Sequence, residues 1–153
     1  MFTKTFYVRW ADLDSNGHMK NTAYLDVCVD ARMMFFAENG FSMRDFEEIR
    51  IGPVVMRDEV EYFREMRLLD EYTIDLALAA MSEDASRFRL RNRFFRQDGR
   101  MAAAVHSTGG WLDLQERRLI RPPERLRSVL AQLQRTEDFE ELPSSIRAGL
   151  TSS

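Results

Sequence analysis

The spacing of apolar positions divides the chain into segments of two kinds. Phe6, Val8 and Trp10 alternate with Thr5, Tyr7 and Arg9, the two-residue period of a half-buried strand. Residues 11–21 show no period and are rich in turn formers, with Asp12, Asp14, Ser15, Asn16 and Gly17 close together. The spacing then changes. Tyr24, Val27, Cys28, Ala31, Met34 and Phe35 recur every three or four residues, which predicts a helix over 22–39, with Asn21 or Thr22 capping its start and Gly40 just past its end. Its few charges (Asp26, Asp30, Arg32, Glu38) predict a helix packed deeply against a large apolar surface.

Strand-like stretches follow at 54–63, 72–81, 86–96 and 101–114, and Asp98-Gly99 reads as a two-residue hairpin turn. Strands joined by short turns run antiparallel, so the fold class is α+β, with one long central helix wrapped by a curled, five-stranded antiparallel sheet. A short helix over 124–134 closes a single domain of residues 1–135, and 136–153 reads as a polar tail.

Composition narrows the functions open to such a domain. With 44% hydrophobic and 31% charged residues the chain has the make-up of a globular protein, not a disordered one. Its 22 basic and 25 acidic side chains leave a formal charge of −3, which gives no overall attraction to nucleic acid or an anionic membrane. The single cysteine, Cys28, rules out an intrachain disulfide and falls on the apolar helix, where a buried, inert thiol is expected. The start of the chain shows no basic region followed by a long apolar run, and no stretch approaches the ~18 apolar residues of a membrane span. The cytoplasm is the expected location.

The chemistry is concentrated where the first strand gives way to the helix. Acids, a glycine and a histidine stand directly before a helix N-terminus, whose unpaired backbone N–H groups and positive dipole end suit an oxyanion. A nearby carboxylate can serve as general base or nucleophile on a carbonyl held there. Capping and turn formation also explain these residue types, so local physics by itself leaves both readings open.

The run Trp10-x-Asp12-x-Asp14-x-x-Gly17-His18-x-x-Asn21-x-x-Tyr24-Leu25 resembles the signature of the 4-hydroxybenzoyl-CoA thioesterase-like hotdog family, which includes bacterial acyl-CoA thioesterases. The order of predicted elements matches that fold over about the first 125 residues, while the sequence-specific part lies within 8–36. The resemblance implies hydrolysis of an acyl-CoA to a free acid and CoA, with no metal or redox cofactor. It makes Asp14 the catalytic carboxylate and the backbone N–H at Asn21 the oxyanion donor, and it places Gly17 where the backbone approaches the thioester. Lys20 departs from the pattern, since relatives often carry a second asparagine there.

His18 and Tyr24 are candidate substrate contacts, although a loop histidine and a core tyrosine are equally ordinary; Asp12 is expected to hold the loop. His106 stands in a strand without a ligand partner at metal spacing, so a structural role is expected. Arg87, Arg89, Arg91 and Arg93 line one face of a strand. Arg91 is the candidate contact for CoA phosphates, and a charge ladder with Glu71, Asp75 and Glu83 is the competing reading. Phe35, Phe36 and Phe41 are core or acyl-tunnel residues, with core the plainer reading. The resemblance further implies a homodimer or homotetramer with the site between subunits. Two alternatives stand beside hydrolysis: a hotdog hydratase or dehydratase using Asp14 with His18, and a non-catalytic acyl-CoA-binding protein.

Overall fold

The computed structural model describes residues 1–146. β1 (Phe2–Tyr7) leads through a single tight turn at Trp10–Asp12 into α1 (Asn21–Glu38). After α2 (Met43–Ile49) come β2 (Ile51–Tyr62), β3 (Glu71–Ser82), β4 (Arg87–Arg96) and β5 (Met101–Asp113). The short β6 (Arg118–Ile120), α3 (Glu124–Leu130) and β7 (Arg135–Leu142) complete the described chain.

The five long strands form one antiparallel sheet in the order β1-β3-β4-β5-β2. Two further strands raise the expected five to seven. β6 extends the hairpin from β5, and β7 pairs parallel with β3. The expected polar tail therefore contributes a strand over 135–142, and its last residues, 147–153, lie outside the described part. The turn at Asp98-Gly99 also differs from expectation. Arg96 and Arg100 close a three-residue loop in which Gly99 takes the left-handed conformation (φ +82°), the three-residue alternative to the two-residue turn.

α1 buries Tyr24, Val27, Cys28, Ala31, Arg32, Phe35 and Phe36 against the concave face of the sheet. Its end is set by Gly40 (φ +85°): the Phe41 N–H donates to Phe36 O and the Gly40 N–H to Ala37 O, closing the last turn. The core has two parts. Around the first half of α1 lie Val8, Met19, Tyr24, Tyr72, Ile74 and Phe94. Around its last turns, Phe35, Phe36, Phe41, Phe46, Phe88 and Trp111 pack together, Phe36 edge to face with Phe46 and Trp111 and Phe41 edge to face with Phe46, closed over by α2 and by Leu126 and Leu130 of α3. Phe35, Phe36 and Phe41 are thus core.

On the outer face the arginines of β4 alternate with buried Phe88, Leu90, Asn92 and Phe94. Arg93 pairs with Asp75 at 2.6 Å, one rung of the expected ladder, while Arg89 pairs with Glu140 of the unexpected β7 at 2.6 Å. Glu71 instead accepts from Gln97 Nε2 at 2.9 Å. β2 is one edge of the sheet, β1 being the other, and it is exposed along most of its length. Among the described residues no helix is long and apolar enough to cross a membrane.

Candidate active site

The segment between β1 and α1 is tied down by its first acid. Asp12 is buried and grips Arg9 three times, accepting from the backbone N–H at 2.9 Å, from Nε at 3.2 Å and from Nη2 at 2.8 Å. Burial alone would raise the Asp12 carboxyl, but the side-chain and backbone bonds from Arg9 outweigh it and hold the group below its ordinary range. The Asp12 carbonyl accepts from Lys20 N at 2.8 Å, which fixes the last residue before the helix. Asp12 holds the loop, as its position predicts.

Asp14 is the opposite case. It is exposed, and its Oδ1 accepts from the backbone N–H groups of Asn16 at 2.8 Å and His18 at 3.1 Å. These bonds, that from His18 foremost, keep the carboxyl below its usual pKa, so it is ionised at neutral pH. Among the described residues its second oxygen, Oδ2, has no partner. The loop closes through Gly17 N–H to Asp14 O at 3.1 Å and Asp14 N–H to His18 O at 2.8 Å. Gly17 takes φ +78°, and a Cβ there would meet nothing within 4 Å. Within this chain the glycine is needed for its backbone conformation.

Helix α1 begins at Asn21 with Lys20 as the flanking residue, and no side chain caps that end. The Asn21 Oδ1 accepts from Thr22 N at 2.9 Å. Among the described residues the Asn21 backbone N–H meets no acceptor, one of the open donors of a helix start. Asp14, His18, Asn21 and Tyr24 line one cleft of about 390 Å³ together with Tyr62 and Glu65. Tyr24 is buried, with its ring edge to face against Phe94 (5.0 Å) and Tyr62 (5.3 Å). Burial pushes its hydroxyl up to about 12, so it stays a neutral donor.

Four of the six candidate residues therefore share the cleft, and Gly17 shapes the loop that forms it. Arg91 is the exception. It lies on the outer face in a separate pocket with Arg93, Arg135, Glu137 and Asp138, because odd-numbered positions of β4 point away from α1. The His18 imidazole also departs from a pairing with Asp14: Nε2 sits 3.1 Å from Glu65, and Asp14 takes the His18 backbone instead.

Tyr62 and Glu65 were not among the expected residues of this chain's own site. They lie about 40 positions from the signature run; the pairing of β2 with β5 carries Tyr62 to the helix start, and backbone bonds of His18 and Met19 to Arg67 and Met66 hold Glu65 there, so no local signal marks them. Cys28 is fully buried and its thiol is pushed up to about 12 by burial, an unreactive group. Among the described residues no cluster of three or more His, Cys, Asp or Glu side chains is arranged to hold a metal ion.

At the junction of β1 and α1 the chain thus brings an exposed, ionised carboxylate and an open helix N-terminus into one cleft. It belongs to the thioesterase-like superfamily, whose family model it matches over residues 8–133. Similar solved structures share the fold. One is a hypothetical protein from Staphylococcus aureus solved with CoA, at 21% identity and TM-score 0.79, covering 99% of this chain and 94% of that one. A 1,4-dihydroxy-2-naphthoyl-CoA thioesterase from Synechocystis aligns at 17% identity and TM-score 0.77, covering 86% and 96%. A probable thioesterase from Escherichia coli aligns at 25% identity and TM-score 0.73, covering 87% and 98%. Among curated proteins none matches the chain.

Proposed function

We propose that this protein is an acyl-CoA thioesterase that acts in the cytoplasm, with Asp14 as its catalytic carboxylate. The observation that carries this reading is the pairing, in one cleft, of an ionised Asp14 with a free Oδ2 and the unpartnered backbone N–H of Asn21. The thioester carbonyl oxygen rests on the Asn21 N–H, whose bond strengthens as negative charge develops on that oxygen. Asp14 either attacks the carbonyl carbon directly or takes a proton from the water that does. The C–S bond then breaks, CoA leaves as the thiol, and water supplies the oxygen of the free acid. Membership of a thioesterase-like family and likeness to a CoA-bound structure support the choice of thioester.

A dehydratase needs a carboxylate and a histidine that exchange protons at one carbon. Here the His18 ring is turned to Glu65, which disfavours that alternative. The edge strand β2 is exposed along most of its length next to the cleft, so we place a second copy of the chain on that edge, completing the site as a homodimer. The test is thiol release from short, medium, long and aromatic acyl-CoAs by wild type and Asp14→Ala. Hydrolysis by wild type and its loss in a folded Asp14→Ala is the expected result. Acyl-CoA binding without thiol release would instead make this a non-catalytic binding protein.

A further inference from the structure

Tyr24 stands one helical turn from Asn21, on the face of α1 that packs against the sheet. It is 2% exposed, with its ring held between Phe94 at 5.0 Å and Tyr62 at 5.3 Å. A buried phenol ordinarily bonds to a protein partner. Among the described residues the Tyr24 hydroxyl has none, and the side-chain polar atoms sealed away without a partner are Arg87 Nε and Arg91 Nε. The Tyr24 hydroxyl therefore belongs to the small part of the residue that stays accessible, and that part faces the cleft it lines with Asp14 and Asn21.

The neighbouring phenol is placed differently. Tyr62 is half exposed, and its hydroxyl already donates to Asn21 O at 3.3 Å. Tyr24 keeps its O–H for whatever the cleft holds. Side chains on a helix lean toward its N-terminus, so Tyr24 reaches back over the first turn, where the Asn21 N–H stands open. Burial keeps the phenol protonated at neutral pH, which makes it a donor without a charge of its own. Packing alone does not call for the oxygen, since a phenylalanine would make the same two ring contacts.

Resting on the thioesterase reading, we propose that Tyr24 is a catalytic residue whose hydroxyl donates a second hydrogen bond to the thioester carbonyl oxygen, beside the Asn21 N–H. The phenol keeps its proton throughout. When Asp14 or its water adds to the carbonyl carbon, an electron pair of the C=O bond moves onto the oxygen, and two donors share that charge. The pair returns to re-form the C=O bond as the C–S bond breaks. A donor to this oxygen gains strength as the charge develops, so its effect falls on kcat more than on KM.

The test is Tyr24→Phe, which keeps the ring and removes only the hydroxyl. Its kcat for thiol release is expected to fall about a hundred-fold, with KM within about two-fold of wild type. A second measurement needs no turnover: infrared spectroscopy of an isotope-labelled oxoalkyl-CoA, in which a methylene replaces the thioester sulfur. Its carbonyl band should lie lower on wild type than in water and recover part of that shift on Tyr24→Phe. If that variant does not fold, 3-fluorotyrosine installed at position 24 is a stronger donor and should lower the band further. An unchanged kcat in folded Tyr24→Phe overturns the proposal, as does a rise in KM alone or a carbonyl band that neither change moves. Loss of kcat in Tyr62→Phe but not in Tyr24→Phe overturns it too and gives the role to the other phenol. If wild type releases no thiol while Tyr24→Phe still moves the band, the hydrolase reading falls and the carbonyl contact stands.

Discussion

The two ends of α1 are built from opposite materials. At its start the chain is held by hydrogen bonds: Asp12 grips Arg9, Asp14 collects two backbone N–H groups, and the side chains that face the cleft are polar and largely exposed. Around its last turns a cluster of aromatic rings about Trp111 fills the space, sealed by α2 and α3. One end can be altered in charge without leaving a cavity, and the other cannot lose a ring without leaving one. Stability and chemistry are thereby assigned to different ends of one helix, and changes at each should separate them.

The largest effect is expected at the aromatic end. Phe36 stands edge to face with Phe35, Phe46 and Trp111 and is 4% exposed. Phe36→Ala should cost about 3–5 kcal/mol of unfolding free energy, since it removes buried area and leaves a cavity among rigid neighbours. Urea denaturation measures this. A loss under about 1 kcal/mol would mean that the two ends do not differ as described.

At the other end Asp14→Asn keeps the oxygen that accepts from Asn16 and His18, so the loop and the melting temperature should hold. The rate of thiol release should fall about a hundred-fold or more, roughly 2.7 kcal/mol of barrier. The pH profile sharpens the point. The folded carboxyl lies below its ordinary value, so its ionised form persists as pH drops past the usual aspartate range near ~3.9 and is lost only as pH falls through the lowered value. The acid limb of kcat/KM should therefore lie below that range. A limb above pH 5 would assign it to another group.

The same division explains what the sequence reveals and what it hides. The signature loop and the apolar face of α1 are local patterns: Asp12 and Asp14 fall in the loop and Tyr24 on the helix as those patterns predict, whereas Asn21 is the first helical residue, with Lys20 before it, and neither Asn21 nor Thr22 is the expected cap. The aromatic end is legible as core but not as architecture. α2 is only seven residues long, and its mark, Ser42 and Asp45 in a reciprocal cap, is easily taken for loop. β7 is harder still. It presents only Thr136, Phe139 and Leu142 inward among acids, and it pairs with β3 from some 60 positions away, with a break in register between Leu78 and Ala80. An acidic strand of that kind reads as tail, because its partner, not its own pattern, makes it a strand. Arg91 fails as a CoA contact within this chain's cleft for a related reason. The two-residue period puts it on a common face with its neighbours but does not say which face looks toward α1.

Gly17→Ala probes how firmly the hydrogen-bonded end is held. No atom obstructs the added methyl, so the cost is that of the left-handed conformation, about 1–2 kcal/mol. The smaller outcome, with stability kept and thiol release lowered several-fold, would show the loop relaxing and carrying Asp14 away from its place. Full stability with full activity would mean that φ +78° is not required there.

The smallest effect is expected from Tyr62→Phe, and it bears most directly on how the two halves of the cleft are joined. The Tyr62 hydroxyl donates to Asn21 O at 3.3 Å, the only side-chain bond among the described residues that links β2 to the first residue of α1. That bond is long, and Tyr62 is half exposed, so losing it should cost no more than about 0.5–1 kcal/mol. The ring keeps its edge-to-face contact with Tyr24 at 5.3 Å, which isolates the hydroxyl. Asn21 O is a carbonyl of the first turn, which the helix itself bonds from a later N–H, so the tyrosine adds orientation more than support. A modest rise in KM with kcat unchanged is the expected signature, because the cleft wall loosens while Asp14 and the Asn21 N–H stay in place. If kcat falls instead and KM holds, the Tyr62 hydroxyl contributes to the transition state, and the polar end of α1 carries a second donor besides its backbone.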